Sequence, residues 1–86
     1  MKIILADDHA LFRGGFALLF KQHEALATVL EADGLAGALD IAERHPDADL
    51  LLLDLHMPGM QGASSIRQIT QTHPHLPPVV LSATSY

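Results

Sequence analysis

The sequence predicts an α/β fold in which a parallel sheet carries helices on both faces. Three observations lead there. Two short unbroken apolar runs, Lys2–Ala6 and Leu50-Leu51-Leu52-Leu53, read as strands buried on both faces. Other stretches place apolar residues at helical spacing, most cleanly Leu35, Ala38, Leu39 and Ala42 at i, i+3, i+4 and i+7. Proline and glycine punctuate the joins at Pro46, Pro58-Gly59, Pro74 and Pro77-Pro78. Strand and helix then alternate as β-α-β-α-β-α-β, the order that builds a parallel sheet.

Each element has its own signal. After the first strand, Leu11, Phe12, Phe16, Leu19 and Phe20 recur at helical spacing, predicting a helix over residues 9–21 with the Phe12, Phe16 and Phe20 stripe in the core. Gly14 and Gly15 weaken that helix by about 1 kcal/mol each relative to Ala, a cost that close helix–sheet packing would explain. Residues 27–32 form the second strand around Val29 and Leu30. Asp33 offers an N-cap for a helix over residues 34–45, which Pro46 ends. The four leucines form the third strand, marked by their shortness and by the flanking Asp49 and Asp54. Ala63, Ile66 and Ile69 define a third helix closed by Pro74, and Val79-Val80-Leu81 a fourth strand.

The 86 residues suffice for one domain, 1–86, and not for two. Hydrophobic residues make up 49% and charged residues 17%, a globular composition. The net charge is −5, and Lys2, Arg13, Lys21, Arg44 and Arg67 are scattered, so this segment is not a nucleic-acid binder by itself. The absence of cysteine excludes disulfides, Cys-zinc sites and thiol catalysis. No apolar run reaches the roughly 20 residues of a membrane span, and the start breaks into Asp7-Asp8 too early for a signal peptide, so a cytoplasmic location is expected.

Three acids stand where chemistry is done in such folds. Asp7 and Asp8 follow the first strand and Asp54 follows the third, so all three fall on the carboxyl-terminal rim of a parallel sheet. Open α/β sheets bind ligands there, in the crevice between neighbouring strands whose helices leave on opposite faces. Carboxylates so close repel one another until a proton or cation intervenes, and an all-oxygen cluster suits a hard cation such as Mg²⁺. With the charge cancelled, a carboxylate can attack phosphorus to give an aspartyl-phosphate. The plainer alternative is that Asp7 or Asp8 caps the first helix and Asp54 opens a turn.

The set Asp7-Asp8-His9, Asp54-Leu55-His56-Met57-Pro58-Gly59-Met60-Gln61-Gly62 and Val79-Val80-Leu81-Ser82-Ala83 resembles the receiver domain of two-component response regulators. The stretch from Asp8 to Gly15 is similar to the LuxR/NarL-like subgroup, whose receivers precede a helix-turn-helix DNA-binding domain. The resemblance implies a flavodoxin-like three-layer fold of strand order 2-1-3-4, and a phosphoacceptor switch that is not a turnover enzyme. It implies Asp54 as the phosphoacceptor of a sensor histidine kinase and Mg²⁺ as cofactor. Asp8 would bind the metal directly and Asp7 through water, with Asp54 and the main-chain carbonyl of His56 completing the set. Ser82 matches the switch hydroxyl, while Pro58 and Gly62 shape the loop.

Departures accompany the match. Neither Lys2 nor Lys21 matches the lysine that the family carries after a fifth strand, and Tyr86 does not match its switch aromatic. The chain therefore reads as a receiver truncated after the fourth strand, lacking the fourth helix, fifth strand and fifth helix, with impaired phosphorylation. An exposed fourth-strand edge would then favour a homodimer or larger assembly. The alternative function is a degenerate receiver acting by protein–protein association alone. A phosphohydrolase with an aspartate nucleophile would want a second Asp where His56 stands. Among other candidates, His9 is expected to point outward from the helix start, and His73 and His75 to be solvated at a helix end. Met57 and Met60 are expected to cap the loop. Neither a dinucleotide nor a P-loop fingerprint occurs.

Overall fold

Seven elements alternate along residues 1–81, which the computed structural model describes. They are β1 (Lys2–Ala6), α1 (Ala10–His23), β2 (Thr28–Ala32), α2 (Leu35–Arg44), β3 (Leu50–Asp54), α3 (Ala63–Thr72) and β4 (Pro78–Leu81). The strands form one parallel sheet in the order β2-β1-β3-β4, as expected. Its register sets Ala6 beside Ala32 and Leu53, and Asp54 beside Leu81. Asp54 thus ends β3 within the ladder instead of following it.

The pleat divides the core in two. On one face Ile4, Ala6, Leu51 and Leu53 pack with Leu35, Ala38 and Ala42 of α2 and Ile69 of α3. On the other, Ile3, Leu5 and Leu52 meet Phe16 and Phe20 of α1. Both neighbours of each strand residue are covered, which is why β1 and β3 read as unbroken apolar runs. The helices after β1 and β3 leave on opposite faces, so a crevice opens at the carboxyl ends of these adjacent strands.

Four expectations need correction. Ala17 is the one buried residue of α1, whereas Phe12 is 45% exposed and Phe16 and Phe20 are half-buried. Steps of four residues drift by roughly 40° around a helix, so the phenylalanine rings run along the flank of α1, Phe12 tilted against Phe16 and Phe16 stacked on Phe20, with centroids 6.1 and 6.3 Å apart, and only the later two reach the sheet. Gly14 and Gly15 do not serve close packing, because a Cβ at either would meet nothing within 4 Å. The N-cap of α2 is the extended Gly34, not Asp33, and a loop carbonyl performs the capping: the Leu35 N–H donates to the Pro58 carbonyl at 3.0 Å. His73 is buried, not solvated. It ends α3 as C-cap with its Nε2 3.9 Å from Glu43 Oε2 and no hydrogen-bond partner among the described residues.

Met57 and Met60 close the loop after β3 against the larger core, Met57 being almost fully buried. That loop carries the chain's two positive-φ residues among those described, Gly59 at φ 90° and Gly62 at φ 65°. At Gly59 a Cβ would also stand 3.1 Å from Leu35 Cβ, so glycine lets the loop lie on the start of α2.

Candidate functional site

Asp7, Asp8, His9 and Asp54 converge at the crevice, each offering one atom such that all four lie within 4.8 Å of one another. Register and local hydrogen bonding bring them there. Asp7 directly follows β1, and its main-chain N–H donates to the Ala32 carbonyl at 3.0 Å, extending the β1–β2 ladder by one bond. Its side chain folds back, so that Asp7 Oδ1 accepts the His9 main-chain N–H at 2.7 Å. Asp54 repeats the device, with Oδ1 accepting the His56 main-chain N–H at 3.0 Å. Both carboxylates are buried and each is held by an amide two residues on, which orients it without a distant partner. Asp8 is more open and faces the same space.

The imidazole of His9 stands at the mouth. Its Nδ1 is 3.0 Å from Asp7 Oδ1 and 3.1 Å from Asp8 Oδ1. The hydrogen bond to Asp7, followed by the negative charges of Asp8 and Asp7, raises its pKa above the ordinary histidine value. The ring is largely exposed, as the sequence suggests, yet its Nδ1 turns inward to the acids. Adjacency to an acid pair at a helix start was the available signal. Arg13, one turn into α1, was not legible as part of the site. It donates from Nη1 to the Asp7 carbonyl at 2.6 Å and from Nε to Glu31 Oε1 at 3.2 Å, pinning the end of β1 to α1 and β2.

The remaining sequence candidates are distributed around this centre. His56 is exposed at the start of the loop, tied to Asp54 through its amide. Pro58 and Gly59 line the cleft with Asp8, Asp33 and Gly34. Gly62 caps α3 at φ 65° and ψ −138°, a conformation that side chains resist, in agreement with its expected role. Ser82 lies outside the described residues. Lys2 is at the opposite end of the sheet, bonded to Asp47 at 2.8 Å.

The family model of the response regulator receiver domain matches residues 3–86. This chain belongs to that family. The receiver is 39% identical over 82 residues to the glycerol metabolism activator of Pseudomonas putida, an alignment covering 95% of the chain and 37% of that relative. The chain thus spans little more than a third of that curated relative's length. Among solved structures, RcsB of Salmonella enterica serovar Typhimurium, bound to the promoter rprA with phosphomimetic BeF₃⁻, is 31% identical with a TM-score of 0.83. The match covers 100% of this chain and 72% of that one. The NarL signal receiver domain of Mycobacterium tuberculosis is 31% identical with a TM-score of 0.80, covering 99% and 68%. The chain is therefore a receiver of the two-component response regulators, with relatives of NarL type. Receiver domains bind Mg²⁺ at an acidic pocket, and three carboxylates gather at this crevice, two of them oriented by main-chain amides. No helix among the described residues is long and apolar enough to cross a membrane.

Proposed function

We propose that this receiver is a phosphoacceptor switch in which Asp54 takes a phosphoryl group from the phosphohistidine of a sensor histidine kinase or from a small phosphodonor. The carboxylate oxygen forms the new O–P bond while the donor's bond to phosphorus breaks, P–N in phosphohistidine or P–O in an acyl phosphate, and the departing imidazole or carboxylate keeps the electron pair. The observation that carries this reading is the convergence of Asp7, Asp8 and Asp54 within 4.8 Å at the sheet's switch point. Mg²⁺ would be held by Asp8, Asp54 and the main-chain carbonyl of His56, with Asp7 acting through water, and would supply charge cancellation between the acids and the phosphoryl oxygens. The amide of His56 keeps one Asp54 oxygen occupied, which directs the other toward the incoming phosphorus. The Ser82 hydroxyl donates to a phosphoryl oxygen in the phosphorylated state.

The receiver turns over no free substrate; the only bonds it makes and breaks are on its own Asp54. In the whole protein, phosphorylation acts in the cytoplasm on a DNA-binding output domain. The test is intact mass after incubation with Mg²⁺ and acetyl phosphate, expected to show one added phosphoryl group in wild type and none in Asp54→Asn. An unmodified wild-type chain overturns the switch, and labelling that survives Asp54→Asn overturns the site.

A second reading, association without useful phosphorylation, is favoured by one observation: Leu11, Leu18 and Leu19 on α1 and Val79 on β4 are exposed. Among the described residues β4 pairs on one side only, with β3, so its other edge is a template for a second copy of the chain. Sedimentation distinguishes the outcomes: edge pairing gives a dimer, and a monomer at high concentration removes it.

A further inference from the structure

We propose that the His9 imidazole is itself a metal donor, giving this receiver a mixed oxygen and nitrogen site that prefers a transition ion such as Mn²⁺ to Mg²⁺. The inference rests on reading the acid cluster as the metal site and adds a ligand to it. Its ground is geometric. In an octahedral shell with bonds of about 2.1 Å, neighbouring donors lie about 3.0 Å apart. Nδ1 of His9 stands 3.0 Å from Asp7 Oδ1 and 3.1 Å from Asp8 Oδ1, so these atoms already have the spacing of adjacent donors around one ion. Asp54 offers a further oxygen within the same 4.8 Å group.

The backbone holds the imidazole in reach. His9 is the N-cap of α1 in an extended conformation, and its main-chain N–H is fixed to Asp7 Oδ1 at 2.7 Å. Arg13 anchors the same turn through the Asp7 carbonyl. Only the two side-chain torsions remain, and the exposed ring can adjust them without disturbing packed neighbours. Imidazole is a poor ligand for Mg²⁺, which selects oxygen, and a good one for the first-row transition ions. On coordination the ring gives up its Nδ1 proton, and as a neutral ligand it adds no further negative charge to the three carboxylates. The nitrogen therefore raises affinity for Mn²⁺ selectively.

Titration calorimetry of the chain with Mn²⁺ alone and Mg²⁺ alone, for wild type and His9→Ala, tests selectivity, and pulsed EPR of the Mn²⁺ complex tests the bond. The expected results are Mn²⁺ bound at least ten-fold tighter than Mg²⁺, a ten-fold or greater loss of Mn²⁺ affinity in His9→Ala with Mg²⁺ affinity changed less than three-fold, and ¹⁴N coupling in wild type that the variant lacks. Tight Mn²⁺ binding without nitrogen coupling, or equal losses for both ions in His9→Ala, overturns the imidazole ligand and leaves the acid site standing. Failure of wild type to bind either ion overturns both. EPR on wild type keeps the result decisive if the variant folds poorly.

Discussion

Removing Asp8 should have two opposite consequences, one in metal-free protein and one with Mg²⁺. Asp8 lies in a group whose donor atoms are all within 4.8 Å of one another, beside the buried Asp7 and Asp54. Two like charges at 4.8 Å repel by about 3.5 kcal/mol at an effective dielectric constant of about 20. The Asp8 side chain is 35% exposed, so screening by water reduces this to roughly 1 kcal/mol. Asp8→Ala also removes the contact with His9, which acts in the other direction. The metal-free variant should therefore melt no lower than wild type. With Mg²⁺ the order reverses. An ion at 100 times its dissociation constant stabilises the wild-type fold by about 2.7 kcal/mol, or roughly 10–20 °C for a domain of this size. The variant should lose most of that rise. Calorimetric melts of both chains with EDTA and with Mg²⁺ provide the assay. An Asp8→Ala chain that keeps the full Mg²⁺ shift, or that melts several degrees lower in EDTA, would refute the placement of Asp8 in a repulsive cation site.

Other substitutions probe the scaffold. Gly59→Ala combines positive φ with a Cβ 3.1 Å from Leu35, while Gly62→Ala carries positive φ with open space around it. Urea unfolding should find both destabilising, by about 1–2 kcal/mol for Gly62→Ala and more for Gly59→Ala. Gly14→Ala and Gly15→Ala, facing open space in mid-helix, should each stabilise by about 0.5–1 kcal/mol in the same assay. Ile69→Ala, at 1% exposure, should cost about 2–5 kcal/mol and Phe12→Ala much less, a contrast visible in their melting temperatures. The Asp47 carboxyl is held below its ordinary pKa mainly by the hydrogen bond from Lys2. A depressed pKa means that the folded state binds that proton less readily than the unfolded state. The contribution is therefore present above the ordinary Asp range and lost as pH falls through the lower folded value. Denaturation of wild type and Asp47→Asn from pH 6 to pH 3 should show a small difference that closes on acidification.

The parallel sheet was legible because burial on both faces leaves a simple trace. Ile3, Ile4 and Leu5 sit at 0% exposure on alternate sides of β1, so no polar residue interrupts the run. The stripe on α2 was equally clear, since Leu35, Ala38 and Ala42 meet the core in the predicted phase. The stripe on α1 misled because Phe12 and Phe16 prefer each other's company along the helix flank, which hydropathy spacing cannot distinguish from burial. Caps were misassigned for a related reason. Asp33 has the right chemistry for an N-cap, but the orphan amide of Leu35 finds Pro58, 23 positions away in the chain, and no local pattern announces a partner brought by the fold. Arg13 belongs with these: its contact with the Asp7 carbonyl depends on where the first turn of α1 lands.

The two buried acids escaped this difficulty because each is oriented from within its own tripeptide. Asp7 is held by the amide of His9 and Asp54 by the amide of His56, at the same spacing of two residues and at the same end of adjacent strands. A carboxylate whose direction is set by a neighbour two residues away needs only the sheet to bring it into place, and the sheet was the most readable part of the fold. The device has a chemical use as well. A main-chain N–H satisfies one buried oxygen without bringing a charge of its own, so it orients the carboxylate without neutralising it. Arg13 approaches Asp7 through the carbonyl, not the carboxylate, and its guanidinium pairs with Glu31. Among the described residues no lysine or arginine pairs with the three carboxylates; Arg13 clamps their frame from outside, and His9 stands at their mouth.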